Sequence, residues 1–167
     1  DGKFAGDKIP VGKNIGAFET FRLTRGAVFA LNKHRARLSS ACKILGVPTP
    51  PISMVKRYSK KLLSKFPHAK ASDFRSKIIV YADSKGKRHV AIGLEPLPPL
   101  KFECVSCCFV GAVPSKYPFK STDRREYDRC EKIANGNGFD LPLLVHKGHI
   151  LESSIANVFI VKDGVVS

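Results

Sequence analysis

Residues 16–31, GAFETFRLTRGAVFAL, are rich in apolar and β-forming positions on both sides of Thr24-Arg25-Gly26. This pattern predicts two strands joined by a tight turn, a role for which glycine is suited. The next stretch, NKHRARLSSACKILG, repeats Leu31, Leu38, Cys42 and Leu45 at near-heptad spacing. It reads as a helix with Asn32 as N-cap, ended by Gly46 and kept from continuing by Pro48. After PTPP a second amphipathic helix is expected, with Ile52, Val55, Leu62 and Phe66 on one face and Lys56, Arg57, Lys60, Lys61 and Lys65 around the other. SKIIVYADSKGKRHVAIGLEPL reads as a hairpin turning at Ser84-Lys85-Gly86, and KFECVSCCFVGAV as a further strand. The proline-bearing PSKYPF suits a crossover. Thr122 to Ala134 is expected as a helix, capped by Ser121 or Thr122 and closed by NGNG. LPLLVHKGHILES and NVFIVKDGVV complete the chain as strands turning at Lys147-Gly148 and Asp163-Gly164.

Hairpins with a few helices, rather than alternating strand and helix, indicate an α+β protein. The expected organisation is an N-terminal α+β domain over residues 1–113, a linker over 114–119, and the start of a second, β-rich domain over 120–167. DGKFAGDKIPV supplies no obvious first element, and KDGVVS ends on an uncovered hairpin arm, so a fragment of a longer protein is expected.

At 167 residues and 43% hydrophobic, the chain is long enough for one ordinary domain or two small ones. Its formal charge of +15 is uneven: between Lys56 and His89 stand eleven Lys/Arg against two acids, Asp73 and Asp83. Such a patch favours polyanions, although a solvated face explains it equally well. No run approaches the ~20 apolar residues of a membrane span. Five cysteines at irregular spacing do not read as a secreted disulfide framework, and the Cys104-Cys107 pair has no second pair at zinc spacing. They are expected to be reduced, buried and apolar in role, in a reducing compartment, cytoplasmic or organellar.

Three blocks carry candidate chemistry. They are GAFETFRLTRGAVFALNKHRARLSSACKILG, with FET and then H-x-x-R-L; FKSTDRREYD; and LESSIANVFIVKDG, with E-x-x-x-x-N-x-F. In this order and at these separations they resemble the fold-type IV pyridoxal-phosphate proteins, the class-IV aminotransferase family that includes 4-amino-4-deoxychorismate lyase. The resemblance runs from about Gly16 to Ser167 and is thin between Pro50 and Val113. It implies pyridoxal phosphate as cofactor and a small-molecule substrate, in a homodimeric enzyme. Lys120 would form the Schiff base and shuttle protons at the substrate carbon, which requires an amine that can lose its proton. Glu152 would pair with the pyridine nitrogen and keep the ring an electron sink. Arg37 would bind the cofactor phosphate with its fork of donors. His34, one turn before Arg37, would support that site, and Asn157 would hold the loop after Glu152. FET rather than FEG, together with K-S-T-D-R-R-E-Y, leans toward the lyase-like members, whose reaction eliminates pyruvate from aminodeoxychorismate. An aminotransferase would use the same residues.

The charge supports a second class of function: an enzyme-derived, basic component of an RNA-containing assembly such as an organellar ribosome. Lys56, Arg57, Lys60, Lys61, Lys65, Lys85, Lys87 and Arg88 would then contact RNA backbone rather than bases.

Overall fold

The computed structural model describes residues 15–24, 27–66, 73–97 and 104–166; the expected turn at Arg25-Gly26 and the opening DGKFAGDKIPV lie outside the described residues. These residues form two compact units. The first comprises the described residues up to 97 with Tyr117–Asp123, and the second comprises 104–116 with 124–166. Against the expected division, the strand at Cys107–Gly111 belongs to the second unit and Lys120 to the first. Hydrogen bonding explains both assignments, as described below.

The first unit is a four-stranded antiparallel sheet of order β2-β1-β3-β4, built from β1 (Gly16–Thr24), β2 (Ala27–Val28), β3 (Asp73–Ala82) and β4 (Arg88–Pro96). Strict alternation makes β1 two-faced: Ala17, Glu19, Phe21 and Leu23 are buried, while Phe18, Thr20, Arg22 and Thr24 are not. The buried face packs with Ile78 and Val80 against Leu38, Ala41 and Cys42 of α1 (Leu31–Leu45) and Val55 of α2 (Ile52–Leu63). The expected periodicity of α1 is observed, but its start is not Asn32. Ala30 takes a left-handed φ of 49° and its carbonyl accepts from the amides of Lys33 and His34, so Asn32 lies inside the first turn. Gly46 ends α1 at φ 66°, where a side chain would be strained. Phe66 lies beyond α2, its ring 5.0 Å from that of Phe74. The β3–β4 turn falls where expected, shaped by Asp83, whose Oδ1 accepts from the amides of Lys85 and Lys87.

In the second unit β5 (Cys107–Gly111) runs parallel to β6 (Leu141–His146), which pairs antiparallel with β7 (His149–Ser153). A parallel pair needs a crossover, supplied by α3 (Arg125–Gly136), so this unit contains one strand–helix–strand element within the α+β whole. Cys130 of α3 is buried with Val110, Ala112 and Leu144. A short hairpin, β8 (Val161–Lys162) and β9 (Val165–Val166), follows; Asn157 to Ile160, expected as strand, is not. Lys147-Gly148 and Asp163-Gly164 both have positive φ at the two turn positions, the geometry that favours tight hairpins.

The cysteines differ from expectation. Cys42 and Cys130 are buried, Cys108 is half-buried, and Cys104 and Cys107 are exposed, the first lying before β5 and the second opening it at an exposed position. Among the described residues no helix is long and apolar enough to cross a membrane.

Candidate active site

In the first unit the polar cluster is centred on a residue that sequence reasoning passed over. Glu19 occupies an inward position of β1, 3% exposed among apolar neighbours. A carboxylate there is costly unless paired. Arg37 supplies a bidentate partner, Nε donating to Oε1 at 2.9 Å and Nη2 to Oε2 at 2.6 Å. His34, three residues earlier on the same helix face, donates from Nδ1 to Oε2 at 2.8 Å, and the acceptor-only carboxylate fixes that tautomer. Burial pushes the Glu19 carboxyl up, but the hydrogen bonds and charges of Arg37 and His34 outweigh it and hold the group below the usual carboxylate value. Glu19 in turn holds Arg37 further toward its charged form. Arg37 keeps 57% of its side chain in solvent, with both Nη1 hydrogens uncommitted. The signal in the sequence was an acid at an apolar alternate position of FETF.

Lys120 is not beside a helix start. Lys120–Thr122 rides on the free edge of β1 as a short antiparallel segment: Phe18 N–H donates to the Lys120 carbonyl, and Thr122 N–H to the Gly16 carbonyl, both at 2.9 Å. The Gly16 amide donates to Thr122 Oγ1 at 2.8 Å, and Ser121 Oγ accepts from the Asp123 amide at 3.1 Å. Of the two residues expected as helix caps, Thr122 spends its hydroxyl on β1 and Ser121 on the Asp123 amide, and α3 begins at Arg125 without a side-chain cap. The register sets Lys120 opposite Phe18, on the sheet face turned away from Glu19, since directly opposed residues share a face. Its side chain is exposed and has no polar partner among the described residues. Glu19 thus gathers Arg37 and His34 on the α1 face, and Lys120 stands on the other.

In the second unit Glu152 lies on β7 opposite Leu144, beside a register shift at Leu144/Val145. Its Oε1 accepts from Tyr127 Oη of α3 at 2.6 Å. The Tyr127 phenol is pushed up to about 12, first by burial and then by the hydrogen bond and charge of Glu152. Arg124 sits 5.1 Å from the Tyr127 ring centre and is itself paired with Asp128 and Glu131. Ser153 and Ser154 follow, 5% and 6% exposed, with hydroxyls that find no partner. Unsatisfied buried hydroxyls ask for a ligand or water. Tyr127 and this serine pair were missed because neither tyrosine nor serine stands out in a polar stretch. Asn157 is exposed and makes no side-chain hydrogen bond among the described residues, so the loop after Glu152 is not held by it. Of the basic candidates, Lys56, Arg57, Lys60 and Lys61 are exposed on α2, Lys65 lies just beyond it, and Lys85, Lys87 and Arg88 are exposed at the β3–β4 turn.

The family model for amino-transferase class IV matches residues 16–167. The chain belongs to that family. It is 27% identical over 166 residues to "Probable branched-chain-amino-acid aminotransferase" of Rickettsia bellii, with 89% of this chain covered and 56% of that protein. The chain therefore spans little more than half the length of that relative. Among solved structures, "Putative 4-amino-4-deoxychorismate lyase" superposes with a TM-score of 0.77 at 22% identity, covering 98% of this chain and 68% of the other. An aminotransferase from Brucella abortus bound to the cofactor PLP gives 0.74 at 21% identity, covering 99% and 65%. At these identities the likeness is one of fold.

Proposed function

We propose that this chain carries the cofactor-holding residues of a pyridoxal-phosphate-dependent aminotransferase or lyase acting on an amino acid or an aminodeoxychorismate-like substrate. The observation that carries the proposal is Lys120: a lysine pinned through its backbone to a strand edge, with its amine exposed and without a polar partner among the described residues. Taken unit by unit, the donors are of the right chemistry: in the first, Arg37, with Nη1 open, has the fork that suits a phosphate, though on the sheet face opposite to Lys120; in the second, Glu152, with Oε2 open, suits a pyridinium nitrogen, and the orphaned hydroxyls of Ser153 and Ser154 suit ring or phosphate oxygens. When bound, pyridoxal phosphate supplies an aldehyde to hold the substrate amine and a ring to withdraw electrons from its carbon.

The chain's own residues do the rest. Lys120 Nζ would hold the cofactor and then take and return the proton at the substrate carbon as general acid and base. Glu152 holds the proton on the ring nitrogen, while Tyr127 fixes Glu152 through Oε1. Glu19 holds the Arg37 fork rigid from the core side. The two branches are distinguished by product: aminotransfer leaves a 2-oxo acid and an aminated acceptor, whereas elimination releases pyruvate and 4-aminobenzoate without an acceptor. Either product in the wild type and neither in Lys120→Met is expected; equal turnover in both proteins would end the proposal.

A second reading rests on α2, which presents Lys56, Arg57, Lys60 and Lys61 with no acid in the helix. This face binds a polyanion such as RNA backbone, independently of the Lys120 site. Retention on heparin should fall steeply with salt, because counterion release scales with the phosphates contacted. Retention unchanged by replacing these four with Gln would discard the reading.

A further inference from the structure

On the helical side of the first sheet lies a cleft of about 550 Å3 that the chemistry assigned to Lys120 does not use. It opens between the β1–β2 hairpin, the start of α1, and α2, all within the first unit. Leu23, Ala27, Val28, Leu31 and Leu63 make its apolar wall, which is aliphatic throughout. Its polar lining comes from α2 alone: Lys56, Ser59 and Lys60. With Leu63 these fall at i, i+3, i+4 and i+7, a single stripe of the helix. No acid lines the cleft among the described residues.

Ser59 is the residue that points to a ligand. It follows Val55 by four positions, and these two are the buried residues of α2. It is 3% exposed, yet its hydroxyl finds no hydrogen-bond partner. Such a group forfeits its bonds to water on folding, and a ligand oxygen would restore one. Lys56 and Lys60 are exposed, one turn apart, and neither is paired with an acid among the described residues. Each can lay its methylene stem along the apolar wall and keep its ammonium at the mouth. Ligand sites typically combine such a volume and an apolar lining with a few placed polar groups. The lining also selects the ligand. Aliphatic walls take a hydrocarbon chain, and two ammoniums beside a hydroxyl donor take an oxygen anion.

We propose that this cleft binds a fatty carboxylate, an aliphatic chain ending in one carboxylate group. The chain lies against Leu23, Val28, Leu31 and Leu63, and the carboxylate accepts from Ser59 Oγ between the ammoniums of Lys56 and Lys60. The site is independent of the reading of Lys120. It also gives two basic residues of α2 a task that RNA backbone cannot fill, since a phosphate chain has nothing to place against the apolar wall.

The test is calorimetry of the full chain with decanoate below its micellar concentration, against decanol and acetate. Decanoate should bind one per chain, decanol about 10-fold more weakly, and acetate not measurably. Lys56→Met combined with Lys60→Met should weaken decanoate about 10-fold and leave decanol unchanged. Ser59→Ala should weaken decanoate about 2- to 10-fold, the value of one neutral hydrogen bond. It should also raise the urea midpoint of the free protein, because it removes a buried hydroxyl that has no partner. A lowered midpoint would show that Ser59 serves the fold and would overturn the proposal. Decanol bound as tightly as decanoate would overturn it too. So would decanoate binding that heparin displaces and Ser59→Ala leaves unchanged, which would return these lysines to the polyanion reading.

Discussion

The buried carboxylate of Glu19 has two opposing influences on it, and their balance makes a sign-specific prediction. In the native protein its pKa is lowered, so its contribution to stability is fully present above the ordinary carboxylate value and is lost as pH falls through the folded value. Arg37→Met removes the bidentate partner and leaves burial opposed only by His34. The carboxyl then rises from its lowered native value, and the cost at neutral pH is relieved on acidification. The variant should lose about 2 kcal/mol at pH 7, toward the low side for breaking a buried pair because Arg37 is itself half in solvent. Urea midpoints at pH 7 and pH 5 check this: the gap between variant and wild type should narrow at the lower pH. A gap independent of pH would mean that Glu19 does not titrate through its partners.

At the level of elements, the segment bearing Lys120 depends on a glycine. A Cβ at Gly16 would stand 2.8 Å from the Val80 carbonyl oxygen and 2.9 Å from Tyr81 Cβ, both on β3 and unable to swing away. Gly16 also bonds Thr122 through its amide and its carbonyl. Gly16→Ala should therefore cost about 2 kcal/mol, as overpacking does. It should also speed hydrogen exchange at the amides of Phe18 and Thr122 while leaving β6 and β7 unchanged. Uniform exchange across both units would show that the strain is not local. The same segment explains what sequence could and could not reveal. Gly46, Lys147-Gly148 and Asp163-Gly164 were legible because their chemistry is local: each needs a left-handed backbone within its own turn. Thr122 has the polar look of a helix cap, yet its hydroxyl's partner, the Gly16 amide on β1, lies more than a hundred residues away, as does Ala17, which Ser121 bridges through its backbone, beyond any local pattern. Asn32 failed as a cap because the left-handed turn at Ala30 starts α1 earlier, and alanine gives no warning of that conformation.

For the whole molecule, the α+β class and the family were legible because three short blocks keep their order along the chain, and the match extends over residues 16–167. Lys120, Arg37, Glu152 and His34 could be singled out through those blocks. Glu19, Tyr127, Ser153 and Ser154 could not, since their importance lies in burial and in partners that only folding supplies. The division into units was misplaced for the same reason: β5 is assigned by its parallel pairing with β6, and Lys120 by backbone bonds to β1.

The most direct measurement is borohydride reduction of the protein with added pyridoxal phosphate, followed by peptide mapping. A stable cofactor adduct is expected on Lys120 in the KSTDR peptide, with the other lysines unlabelled at stoichiometric cofactor. An adduct spread over many surface lysines, or none at all, would contradict the assignment of Lys120 as the residue that holds the cofactor.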